Sequence, residues 1–127
     1  MGEKERLVLS SLGHTWILDL DGTIVKHNGY KIDGKDSFLD GAKEFLDSIP
    51  KDDMIIFLTS RTEEQRNLTE GFLKENRIRY QRIIYGAPYG ERILMNDSKL
   101  SGLKTAIALE AERDIFTRRE LLIDNTL

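Results

Sequence analysis

Two aspartates stand two positions apart, Asp19 and Asp21, where the apolar run Thr15-Trp16-Ile17-Leu18-Asp19-Leu20 gives way to Gly22-Thr23. A carboxylate inside an apolar run is costly unless it is paired or bound to a metal. Two of them at a strand end can face one small site, and their mutual repulsion calls for a cation beside them. Asn96 and Asp97 follow another apolar run and would complete an oxygen shell suited to a hard ion such as magnesium. A third run closes on Thr59-Ser60-Arg61. The Thr59 hydroxyl and the Ser60 backbone N–H are natural donors to a phosphate oxygen. Gly22 permits a tight backbone turn after the carboxylates. Together these residue types suit phosphoryl transfer.

Four short apolar runs must position them: Thr15–Leu20, Met54–Thr59, Arg82–Tyr85 and Arg92–Asn96. None alternates strictly, as expected of strands buried on both faces of a parallel sheet. Leu39, Ala42, Phe45, Leu46 and Ile49 recur at helical spacing before Pro50, which predicts a helix over 39–49. A second helix is expected over 62–76, with Thr62 as N-cap and Gln65 completing a capping box. The alternation of strand and helix implies parallel crossovers, hence a three-layer α/β/α, Rossmann-like domain around a central parallel sheet. Residues 105–109 are assigned to a fifth strand and 118–122 to a helical turn. In such a sheet ligands bind beyond the carboxyl ends of the strands, where Asp19, Thr59 and Asn96 would converge.

The chain has 127 residues, the size of one domain. Its formal net charge is −3, which argues against a bulk basic surface for nucleic acid. Without cysteine, thiolate zinc sites, disulfides and cysteine nucleophiles are excluded, and two histidines (His14 and His27) rule out a multi-histidine metal site. Both histidines are expected in solvated loops, and Trp16 in the core. No run approaches the ~20 apolar residues of a membrane span. The N-terminal stretch Met1–Arg6 carries both signs of charge and does not read as a secretory signal, so the expected setting is cytoplasmic.

At these residues the chain resembles the haloacid dehalogenase superfamily of phosphotransferases. The resemblance rests on Asp19-Leu20-Asp21-Gly22-Thr23, then Thr59-Ser60-Arg61, then Asn96-Asp97, and spans roughly residues 15–105. Residues 90–97, Gly-Glu-Arg-Ile-Leu-Met-Asn-Asp, further resemble small bacterial members linked to capsular or surface polysaccharide synthesis. The resemblance implies a magnesium-dependent phosphate-monoester hydrolase. Asp19 would attack phosphorus and carry an aspartyl-phosphate, and Asp21 would serve as general acid and then base. Magnesium would sit on the Asp19 carboxylate, the Asp21 carbonyl and Asn96 or Asp97, and Thr59 would hold the phosphoryl oxygens. Gly22, Thr23, Ser60 and Arg61 complete the expected substrate-binding set.

Two departures from the family pattern stand out. Asn96 occupies a position that is usually acidic, and Ala87 stands before Pro88 where related small members often carry the catalytic cation. Lys99 is the first substitute for that cation. Arg92 is the second, and is expected at the start of a strand, far from the site. The stretches between the motifs are spent on helices and strands and leave no room for a cap domain. Only a polar flap over 24–36 would lie near the site, leaving it open to a small phosphorylated substrate such as a sugar phosphate. An open site also fits completion by a partner subunit in a homo-oligomer. The alternative is a non-catalytic relative that binds a phosphorylated ligand or a partner, with Asn96 and Ala87 marking the change. A receiver-like signalling domain is disfavoured by the Thr-Ser-Arg strand end and the Asp-x-Asp spacing.

Overall fold

The computed structural model describes residues 5–127; Met1–Lys4, part of the stretch judged against a secretory signal, lie outside the described residues. Five strands form two parallel sheets. β2 (Thr15–Leu18), β3 (Met54–Leu58) and β4 (Arg82–Ile84) lie side by side in that order, and β1 (Glu5–Ser10) pairs with β5 (Arg119–Asp124). α1 (Gly29–Ile32) and α2 (Ala42–Ser48) lie between β2 and β3, and α3 (Arg66–Glu75) lies between β3 and β4. Among the described residues no helix is long and apolar enough to cross a membrane.

The first three apolar runs are β2, β3 and β4, in parallel register with Trp16 opposite Ile55 and Phe57 opposite Ile83. Their inward side chains meet α3 through a core in which Ile55, Phe57, Leu20, Ile24, Val25 and Leu73 are fully buried. Trp16 is buried as expected, with its ring edge on Phe45 at 5.5 Å between centroids. Both helical expectations hold with shorter bounds. Thr62 caps a 3-10 turn over Glu63–Gln65 that runs into α3, and the reciprocal Thr62–Gln65 capping box is present.

Three expectations about single elements are overturned. Arg92–Asn96 is not a strand: Ile93 and Met95 stand in solvent and the backbone pairs with no strand. Side-chain bonds replace the ladder there, because Asn96 Nδ2 donates to the Thr105 carbonyl at 3.0 Å and Thr105 Oγ1 donates to the Asp97 carbonyl. Residues 105–109 are irregular as well and form no fifth strand. The tail forms a strand rather than a helix over 118–122, because Leu121 and Ile123 pair beside Leu7 and Leu9 of β1. The parallel α/β character holds, with the described strands lying in two open sheets, β2-β3-β4 and β1-β5.

His14 departs from expectation too. It is mostly buried, with Nδ1 2.8 Å from Asp53 Oδ2 and Nε2 2.9 Å from the Ser10 carbonyl. Trp16 Nε1 donates to the same Asp53 oxygen at 2.9 Å, so one buried carboxylate ties the turn after β1 to β2 and to the start of β3. Burial pushes the Asp53 carboxyl up, but the bonds from Trp16 and His14 outweigh it and hold the group below its ordinary 3.8. A depressed carboxylate contributes stability above its unfolded value and loses it as pH falls through the folded one. The thermal midpoint of the wild type should therefore drop as pH is lowered from about 5 to about 3. Asp53→Asn should start lower and drop less, which melts across that range would show.

Candidate functional site

Asp19 follows directly on β2, and the chain turns sharply beyond it. The buried Leu20 anchors the turn: its carbonyl accepts from the N–H of Thr23, Ile24 and Val25 at 3.2, 2.9 and 3.0 Å. Gly22 sits at φ +80°, and a Cβ there would lie 3.2 Å from Arg113 Cγ, so the turn has both conformational and spatial need of glycine. The chain beyond residue 112 braces this turn from outside. Asp114 donates its N–H to the Gly22 carbonyl at 2.8 Å, and its Oδ1 accepts from His27 N–H at 2.7 Å.

The two aspartates leave the turn toward different partners. Asp19, about one-third exposed, accepts from Thr23 Oγ1 on Oδ2 and from Arg92 Nη1 on Oδ1, each at 3.0 Å. Asp21 is gripped by Arg61 through a two-bond fork, Nε to Oδ2 at 2.9 Å and Nη2 to Oδ1 at 2.8 Å. Arg61 forms a second fork with Asp36, through Nη1 at 2.9 Å and Nη2 at 2.7 Å, and Nη1 also donates to Thr69 Oγ1 at 2.9 Å. The Tyr30 ring lies over the guanidinium, 4.5 Å from Cζ to the ring centroid. Burial alone would lower the Arg61 pKa, but the bonds to Asp21 and Asp36 raise it, so the group is held as a cation.

Thr59, at the end of β3, is buried; its Oγ1 accepts from Arg61 N–H at 3.1 Å, which leaves its own proton to donate. Ser60 is half-buried, and its hydroxyl makes no hydrogen bond among the described residues. Arg61 was expected on the substrate; every one of its N–H groups is instead engaged with the protein. Lys99 is exposed in a turn closed by Gly102 N–H on its carbonyl, and makes no ion pair among the described residues. Arg92, expected far away at the start of a strand, reaches Asp19 because that strand does not form. Asp36, Thr69 and Asp114 were not anticipated as site residues. No motif marks them, and only the segments that meet at the turn reveal their roles.

The proposed metal donors do not converge. Asn96 and Asp97 are exposed and bonded to their own loop, while both carboxylate oxygens of Asp21 face Arg61. Among the described residues no group of three His, Asp or Glu side chains is placed to hold a metal ion. As arranged, Asp19, Asp21, Asn96 and Asp97 do not make a magnesium shell. The arrangement can instead present one accessible carboxylate, Asp19, beside a guanidinium and two hydroxyls. No protein-family model, curated protein or solved structure matches the chain.

Removing one partner of a buried ion pair leaves the other uncompensated and costs about 3–5 kcal/mol, whereas a solvent-exposed pair is worth at most about 1 kcal/mol. Arg61→Ala should therefore lower the urea midpoint severely, and Arg92→Ala should barely move it.

Proposed function

We propose that the chain is a phosphate-monoester hydrolase of the haloacid dehalogenase type, with a three-layer α/β/α, capless domain, acting in the cytoplasm on a small phosphorylated substrate such as a sugar phosphate. The observation that carries the reading is Asp19. It is an accessible carboxylate at the carboxyl end of a parallel strand, oriented by Thr23 and set beside a guanidinium. In the proposed first step an Asp19 oxygen bonds to phosphorus as the bond from phosphorus to the ester oxygen breaks. Asp21, protonated on a lone pair that the Arg61 fork leaves free, gives that proton to the ester oxygen, releasing the alcohol. Water then attacks the aspartyl-phosphate and passes a proton to Asp21, freeing phosphate and regenerating Asp19. Arg92 is better placed than Lys99 to offset the charge that nucleophile and phosphate bring together. Thr59 has a proton to offer a phosphoryl oxygen, and Ser60 supplies a backbone donor at the same edge, while the Gly22 N–H is spent on the Val25 carbonyl at 2.7 Å. Magnesium dependence enters the proposal only through the resemblance, and turnover with and without the ion reads it. A role in surface polysaccharide synthesis rests on the resemblance of residues 90–97 alone.

The separation of Asn96 and Asp97 from Asp19 favours a second reading, a non-catalytic module that binds a phosphorylated ligand or a partner. Turnover of p-nitrophenyl phosphate and a panel of sugar phosphates, with and without magnesium, separates the two. The hydrolase reading expects magnesium-dependent turnover that Asp19→Asn lowers by about a thousandfold or more. Turnover indifferent to Asp19→Asn contradicts the assigned nucleophile. Absence of both turnover and magnesium-dependent binding of a beryllofluoride phosphate mimic overturns the hydrolase.

A further inference from the structure

A general acid works only where its oxygen meets the leaving group, and what orients Asp21 is not on its own strand. Both of its carboxylate oxygens rest on Arg61, and the orientation of Arg61 is set from the opposite side. There Asp36, with its side chain 1% exposed, takes the Nη1/Nη2 edge of the guanidinium. Thr69 of α3 accepts the remaining N–H, and Tyr30 covers the face. A planar fork held at every N–H cannot rotate without breaking several bonds at once. Asp36 and Tyr30 both belong to the flap over 24–36, in which a further ion pair, Lys26 to Asp33 at 3.0 Å, is exposed.

We propose that Asp36 is a positioning residue for Asp21, acting through Arg61, so that the flap sets the aim of the general acid rather than covering the substrate. This rests on the hydrolase reading above. Asp36→Asn replaces one acceptor facing Arg61 with a donor, which opens one fork and lets the guanidinium turn. Asp21 then keeps its place in the chain and loses its aim.

The consequence depends on the leaving group. Departure of p-nitrophenolate needs little protonation, whereas a sugar alkoxide leaves only with a proton from the acid. The experiment compares turnover of p-nitrophenyl phosphate with that of the best sugar phosphate, in magnesium, for wild type, Asp36→Asn, Asp21→Asn and the flap control Asp33→Asn. A ratio of two substrates on one sample is independent of the folded fraction. If Asp36→Asn does not fold, Thr69→Val, which removes a different Arg61 partner, takes its place. The expected result is a loss on the sugar phosphate about tenfold or more greater than on p-nitrophenyl phosphate in Asp36→Asn and Asp21→Asn, with the ratio unchanged in Asp33→Asn. If Asp36→Asn lowers both substrates equally while Asp21→Asn shifts the ratio, Asp36 is structural and the proposal is overturned on its own. If Asp21→Asn leaves the ratio unchanged, Asp21 is not the acid and the positioning role falls. If the wild type turns over neither substrate, the hydrolase reading fails and takes the proposal with it.

Discussion

A guanidinium withdrawn from water must be answered at each of its N–H groups, and Arg61 is answered by carboxylates from two segments that are far apart in sequence. Asp21 comes from the turn after β2 and Asp36 from the flap, while Arg61 itself follows β3. The ion triad therefore fixes three loops relative to one another at the carboxyl edge of the sheet. Buried charges of this kind contribute little net stability compared with apolar packing, but they tolerate very few arrangements. The hydrophobic core beneath, with Phe57, Leu20 and Leu73, supplies the driving force, and the triad specifies which way the loops face.

That constraint divides the two aspartates, which look equivalent in the sequence. Asp21 is turned inward onto a cation that is itself committed, so its position is rigid. Asp19 is turned outward, and its partners are a short hydroxyl and an arginine that is one-third exposed. In the proposed hydrolase the reacting carboxylate has to be reachable and the proton donor aimed, and the turn around Gly22 leaves one aspartate accessible and holds the other on Arg61. The bracing of this turn by Asp114 explains why residues beyond the expected fourth strand matter to the site at all.

Much of this was legible in the residues. Three of the four apolar runs are strands, since buried parallel strands need only local apolar character to be seen. The Thr62–Gln65 cap follows from chemistry within one helical turn. The placement of Asp19, Asp21 and Thr59 at neighbouring strand ends followed from the same logic. What failed depends on pairing over long distances. Arg92–Asn96 has the composition of a strand, but a strand exists only where a neighbouring edge accepts its ladder, and here the Asn96 side chain and the Asp97 carbonyl bond Thr105 instead. β1 and β5 stabilise each other from opposite ends of the described chain, so neither announces itself locally. Asp36 reads as one more flap carboxylate, and His14 as one more loop histidine, until the partners that bury them are known.

The central claim is that Asp19 accepts a phosphoryl group. Its most direct measurement is to quench the protein during turnover of p-nitrophenyl phosphate in magnesium, reduce the acyl-phosphate with borohydride, and map the modified residue by mass spectrometry. The account predicts one modified position, Asp19, absent when the substrate is left out. A protein that turns over substrate with no label, or with the label on another residue, would contradict it.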